Sequence, residues 1–275
     1  MKKITNKVLF NNAGKLTSEV LKSLSAPEEI QFEQPLPVEL NYQEATRRIM
    51  GYTEASDIDR GTKSFTKRSQ QLVNELARDY KLKNVLLGNY YPILLPQLSI
   101  FDLGKETKTS IETFRKEYRS FTNKHINRAQ GPSSCITGFR YKQLENRVRI
   151  SKGSRYSKLQ KKRSEESVAA LYIPRALHAG SPRVLTELMH LLPGRFILAS
   201  PIEAATALTM YLEYFVDRTK NTSWPHRFNC AGTLYTQYKS RFFNFVVSDY
   251  GFYFGGEEIQ TQRETHSFDL LFIEN

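Results

Sequence analysis

Several features that would make a chain's chemistry easy to name are absent here. There are two cysteines in 275 residues, Cys135 and Cys230. Two cysteines form one disulfide at most, so a disulfide framework is excluded and a reducing compartment is expected. Zinc clusters of the four-ligand type lack donors as well. Among the five histidines, only His226 stands close to a cysteine, Cys230, and no second pair completes a site. The longer apolar runs, such as Val85-Leu86-Leu87 and Tyr90 to Leu95, fall far below the ~20 residues of a membrane span. After Met1-Lys2-Lys3 only Val8-Leu9-Phe10 is apolar, which is too little for a secretory signal. A cytoplasmic rather than a secreted location is therefore expected. The phosphate-binding loop Gly-x-x-x-x-Gly-Lys-Ser/Thr, the Gly-x-Ser-x-Gly elbow and the paired histidines of zinc proteases are all missing. Neither a cofactor nor a metal is expected, and no residue is assigned to catalysis.

What is present is a globular composition with a local excess of one charge. Hydrophobic residues make up 40% and charged residues 25%, too apolar for a disordered chain. The length suits one large domain or two small ones. The formal net charge is +12, from 40 Lys and Arg against 28 Asp and Glu. Residues 115 to 163 alone hold 15 Lys and Arg against Glu117 and Glu145, a local +13, so the other 226 residues sum to −1. Concentrated charge of this size points to a polyanion partner.

The pattern along the chain predicts an α+β fold with a helix-dominated core, a basic central hairpin or loop, and an aromatic, β-rich C-terminal part. Residues 1 to 40 read as a polar arm, a candidate for linking copies of the chain into a homo-oligomer. Residues 41 to 275 form the globular unit. It is either one body or two lobes, 41–134 and 165–275, joined by the basic segment 135–164. Gln43 to Met50 and Thr66 to Leu82 are rich in helix formers, with Leu72, Leu76 and Tyr80 at helical spacing. Thr109 and Glu112 have capping-box spacing at the head of a basic helix. Its stripe of Ile111, Phe114, Tyr118 and Phe121 reads as core packing rather than as a membrane face. Arg147-Val148-Arg149-Ile150 alternates as a half-buried strand does, and Lys152 to Lys158 reads as a loop. Residues 165 to 218 read as the clearest helical part, with Ser181-Pro182 and Ser200-Pro201 as helix starts and Glu203 completing a capping box. Residues 228 to 275 have the aromatic and β-branched content of strands, with flanking glycines.

Nucleic-acid binding needs cations that meet phosphates, and single strands add planar groups that stack on bases. The basic window supplies both. Arg140, Lys142, Arg147, Arg149, Lys152, Arg155 and Lys158 are the candidates for phosphate contact. Tyr141 and Tyr156 are the candidates for stacking, and Arg115, Arg119 and Lys124 would widen the groove. The bland alternative for any one of these cations is a solvated surface.

Two resemblances bear on the function. Thr137-Gly138-Phe139-Arg140, followed by Lys152-Gly153, resembles the first active-site box of tyrosine recombinases. That would imply Arg140 and Lys152 on the scissile phosphate, with Tyr250 or Tyr253 as nucleophile. The family's His-x-x-Arg box is missing, since Pro225-His226-Arg227-Phe228 has a different spacing. The second resemblance lies in residues 171 to 218. Leu192-Pro193-Gly194-Arg195-Phe196, then Ser200-Pro201-Ile202-Glu203-Ala204-Ala205 and a helix to Tyr214-Phe215, resembles the middle of nucleoproteins from segmented negative-strand RNA viruses. Ile173-Pro174-Arg175-Ala176-Leu177 sits near the place of another short motif of that family. The resemblance implies a two-lobed helical core, a basic groove holding single-stranded RNA by its backbone, and arms linking protomers. The expectation is therefore sequence-tolerant, non-catalytic binding of single-stranded RNA. The alternatives are a DNA-processing enzyme and an interaction protein with an acidic partner.

Overall fold

The computed structural model describes residues 8–11, 17, 19–20, 40–51, 54–88, 90–98, 102–125, 134–137, 144–178, 182–212, 227–236, 241–248, 251–258 and 267–275. Six α-helices and nine strands run through these segments, and the fold class is α+β.

Helix α1 (Tyr42–Met50) starts where the Asn41 side chain accepts from the Glu44 amide at 3.0 Å, and it ends at Gly51 in the left-handed region, φ 63°. Helix α2 (Ala55–Arg78) buries Phe65, Ser69, Leu72 and Leu76 along one stripe. It begins earlier and stops sooner than the spacing suggested. Asp79 accepts from the Lys81 amide at 2.9 Å, which offers the backbone a turn in place of another helical bond, and Tyr80 lies past the end, 55% exposed. A short 3-10 helix (Lys83–Leu87) leads to β1 (Tyr91–Leu95), every residue of which is buried.

Helix α3 (Leu103–His125) is capped by Asp102, whose carboxylate accepts from Gly104 at 2.8 Å, not by Thr109. Thr109 sits inside the helix and its hydroxyl donates to the Lys105 carbonyl. Gly104 is required there, because a Cβ would lie 1.9 Å from the Leu144 carbonyl oxygen. Strands β2 (Ser134–Thr137) and β3 (Val148–Ile150) precede α4 (Tyr156–Glu165). The expected loop from Lys152 to Lys158 is thus a short turn that becomes helix at Tyr156.

Strand β4 (Val168–His178), α5 (Pro182–Leu191), β5 (Phe196–Leu198) and α6 (Pro201–Met210) follow. The stretch read as clearly helical therefore contains two strands. Ser200 and Glu203 do form a capping box at the head of α6, whose ten residues are all buried. Strands β6 (Arg227–Tyr235), β7 (Arg241–Ser248), β8 (Gly251–Glu258) and β9 (Ser267–Ile273) complete the chain.

The strands form two sheets. One is antiparallel, in the order β1-β4-β9-β5. The other has the order β2-β8-β7-β6-β3, with β2 and β8 parallel and the remaining pairs antiparallel. Pro92 falls on the edge strand β1, where a missing N–H is tolerated. The register of β6 shifts between Cys230 and Leu234, and there the Gly232 amide donates to the Ala199 carbonyl at 2.7 Å, bringing the two sheets together.

One face of the larger sheet carries the row Phe228, Phe245 and Phe254. It meets α3, where Phe114 and Tyr118 both pack edge-on against Phe252 with ring centroids 5.1 Å apart. A single hydrophobic cluster runs through the described elements of residues 41–134 and 165–275 alike. Part of the expected loose arm belongs to it. Leu9, Phe10 and Val20 are buried, Phe10 packs on Phe196 at 6.4 Å, and the Phe10 carbonyl accepts from the Asn84 side chain. Residues 21–39 lie outside the described residues. No helix among the described residues is long and apolar enough to cross a membrane.

Candidate nucleic-acid interface

The basic window is drawn through three environments. The first is a rim made by β3, the turn after it and the start of α4. Strand β3 is held at the edge of its sheet, where the Arg147 carbonyl accepts from the Thr236 amide at 3.0 Å and from the Thr236 hydroxyl at 3.2 Å. Val148 points into the core, while Arg149 and Ile150 are exposed. Ser154 closes the turn by donating from its amide and hydroxyl to the Ser151 carbonyl, and Gly153 takes φ 78°. Lys152 therefore stands exposed at the tip. Lys158 and Lys161 are exposed along α4.

The second environment is a ridge on α3. Arg115, Lys116 and Arg119, with Glu112, line a depression of about 320 Å³. Lys116 and Arg119 are exposed and Arg115 is half-buried. Lys124 belongs to the last turn of the same helix, with its side chain outside the described residues. Arg140, Tyr141 and Lys142 also lie outside them, as do Phe139, His226 and Tyr250.

The third environment is the interior, and it corrects two of the expected contacts. Tyr156 is 1% exposed, so its ring cannot stack on a base. Its hydroxyl donates to Glu203 Oε1 at 2.9 Å and accepts from Ser200 Oγ at 3.1 Å. Arg155 bridges backbone rather than phosphate. Its guanidinium donates to the carbonyls of Met189, Leu192, Pro193 and Phe196, with 3.0 Å to Leu192 and 2.6 Å to Pro193. It thereby serves the Met189 carbonyl in the last turn of α5 and three carbonyls from there to the start of β5. Its backbone is left-handed, φ 61°.

Arg163 is the other inward cation. Its Nη2 lies 2.5 Å from Glu106 Oε1, its Nε donates to the Pro96 carbonyl at 3.1 Å, and its Nη1 stands 4.0 Å from Glu203 Oε1. The Arg163 side chain is 5% exposed and that of Glu203 is fully buried. Two carboxylates thus share one guanidinium in a buried junction of α3, α4 and α6. Burial outweighs the attraction of Arg163 and pushes the Glu106 carboxyl up to about 7, with Glu203 adding repulsion. Burial raises the Glu203 carboxyl too.

Sequence reading had given these three residues no role together. Glu203 was legible only as a cap and Arg163 only as one more cation, because their pairing crosses tens of residues. Tyr253, one of the two candidate nucleophiles, is 40% exposed on β8. Cys230 is a free, buried thiol whose pKa is raised by desolvation. Among the described residues no group of three or more His, Cys, Asp and Glu is placed to hold a metal. Comparison with protein-family models, curated proteins and solved structures found nothing that matches this chain.

Proposed function

We propose that the protein binds single-stranded nucleic acid, RNA foremost, by sequence-tolerant contacts to the phosphate backbone, without catalysis. The observation that carries this reading is the row of cations left exposed on the rim: Arg149, Lys152, Lys158 and Lys161. Cations that serve folding are tied to carbonyls or carboxylates, as Arg155 and Arg163 are. A chain whose other 226 residues sum to −1 has no general need for this many exposed positive groups in one stretch. The ridge of Lys116 and Arg119 supplies further phosphate contacts. By analogy with the nucleoproteins that residues 171–218 resemble, copies of the protein would line up along one strand.

The test is binding of labelled single-stranded RNA, single-stranded DNA and duplex DNA across a salt series, beside the variant Arg149→Glu/Lys152→Glu. Single-stranded RNA should bind with a log–log salt slope near −3 or steeper, at roughly 0.7 per neutralised phosphate for four rim contacts and any from the ridge. The variant should bind more weakly by at least about tenfold, with a shallower slope. Sedimentation with RNAs of increasing length should show bound copies rising in proportion. Preference for duplex DNA would replace this reading with a DNA-processing enzyme. Absence of binding at low salt would leave the rim to an acidic protein partner.

A further inference from the structure

A cavity of about 230 Å³ opens between α1, α3, α6 and the segment after β1, beside the Glu106–Arg163 pair. It greatly exceeds the roughly 30 Å³ share of one water. It is also smaller than the roughly 300–1,000 Å³ that drug-sized ligands occupy. One planar heterocycle is the class of ligand that such a volume admits. Ile49, Pro96, Leu98 and Ile202 give it apolar walls.

The polar lining is rich in acceptors. The hydroxyls of Thr109, Thr206 and Thr209 donate to Lys105, Ile202 and Ala205 of their own helices, so lone pairs are what they have left to offer. Glu106 retains accepting capacity beyond its bond to Arg163. Ser110 and Thr113 add hydroxyls that can donate or accept, and the charged donor is Arg163. Its Nε and Nη2 are engaged, but Nη1 makes no hydrogen bond, standing 4.0 Å from Glu203. The guanidinium is 5% exposed and lines the cavity, so this nitrogen is placed to donate to an acceptor there.

The matching ligand presents adjacent N–H donors with a carbonyl beside them. We propose that this cavity is a pocket for an unpaired guanine base, with Glu106 accepting from N1–H and the N2 amino group and Arg163 Nη1 donating to O6. Adenine presents one amino donor beside a ring acceptor. Uracil presents one N–H between two carbonyls, and neutral cytosine has no Watson–Crick ring N–H. Only guanine sets two neighbouring donors next to a carbonyl. The surroundings fit a nucleotide. Thr113 lines the cavity, and Lys116 is its i+3 neighbour on α3, about 4.5 Å further along the axis. The proposal rests on the nucleic-acid reading above and adds a base preference to it.

The experiment is calorimetric titration with the 5′-monophosphates of guanosine, adenosine, cytidine and uridine at low salt and pH 8, where Glu106 is ionised. Guanosine monophosphate should bind at least about tenfold more tightly than the other three. Glu106→Gln keeps the side chain's size and removes a buried charge, so its fold should persist by circular dichroism, and the guanine preference should vanish. Equal binding of the four nucleotides, no binding of any, or a preference surviving in Glu106→Gln would overturn the proposal. A uridine-only strand compared with the same strand carrying one guanosine separates the two readings. If the uridine strand binds with steep salt dependence and guanosine adds nothing, the pocket is wrong and strand binding stands. If guanosine monophosphate binds selectively while neither strand does, the pocket stands and strand binding falls.

Discussion

Helix α4 carries cations on two sides, and their surroundings differ completely. On its inner side Arg163 is 5% exposed and is held by Glu106, Glu203 and the Pro96 carbonyl. On its outer side Lys158 and Lys161 are exposed. In the interior a charge must be paired and hydrogen-bonded, because desolvation costs several kcal/mol. At the surface it needs no protein partner and is free to meet another molecule's. Residue type and local sequence are nearly the same on both sides of the helix. What separates a cation tied into the fold from one left exposed is the depth at which each side chain ends.

The comparison breaks most sharply at Arg163. Arg163→Ala would leave Glu106 and Glu203 buried without their counter-charge. Removing one partner of a buried ion pair costs about 3–5 kcal/mol. Urea unfolding should show that loss as a lower midpoint with an unchanged slope. A loss below about 1 kcal/mol would mean that the junction is far wetter than the 5% exposure of Arg163 implies.

Next in size is a pH effect with an unusual sign. The Glu106 carboxyl titrates near 7 in the fold against an ordinary 4.5. The folded protein therefore holds this proton more tightly than the unfolded chain does. Its contribution to stability is complete below about pH 4.5 and is lost as pH rises through 7. The rise from 4.5 to about 7 corresponds to about 3 kcal/mol. Glu203, also raised, acts in the same direction. Unfolding free energy should therefore fall between pH 5 and 8. Glu106→Gln should flatten most of that fall.

A smaller loss is expected where the junction meets the head of α6. Ser200 accepts from the Ile202 amide and donates to the Tyr156 hydroxyl, both at 3.1 Å. Ser200→Ala removes both, and loss of such a cap typically costs about 0.5–2 kcal/mol. Chemical denaturation at pH 7 measures it. Arg163→Ala/Ser200→Ala should lose less than the sum of the single variants, because both residues reach the same carboxylate.

These residues also show what the sequence could reveal. The α6 start was legible because Ser200, Pro201 and Glu203 act on neighbouring backbone. The strand of Arg149 was legible because one face is wet, so polar and apolar residues alternate. Strands β1 and β4 were not. Each is mostly apolar and buried, and a short apolar run looks alike in a buried helix and a buried strand. Tyr156 was misjudged for a related reason. Its neighbours Lys152, Gly153, Ser154 and Ser157 suggest a surface loop. Its burial is decided by Glu203 and Ser200, 47 and 44 positions away. For the candidate site, composition revealed the cations of the rim. The junction behind them was hidden, since Glu106 meets Arg163 only through the tertiary fold.

The smallest expected effect on stability is at the rim, and it sharpens the comparison. Arg149→Glu/Lys152→Glu reverses two exposed cations. Arg149 stands opposite Leu234 in the sheet register, so no directly opposite carboxylate loses a partner. Lys152 stands at a turn tip whose geometry depends on Ser154 and Gly153. The formal charge falls from +12 to about +8, which lowers self-repulsion slightly. Surface substitutions of this kind change stability by no more than about 0.5 kcal/mol. The melting temperature should therefore stay within a few degrees of wild type while single-strand affinity falls at least about tenfold. If unfolding free energy drops by more than about 1 kcal/mol instead, the outer cations hold the fold as the inner ones do. The binding assay on that variant would then report damage to the fold rather than a lost interface.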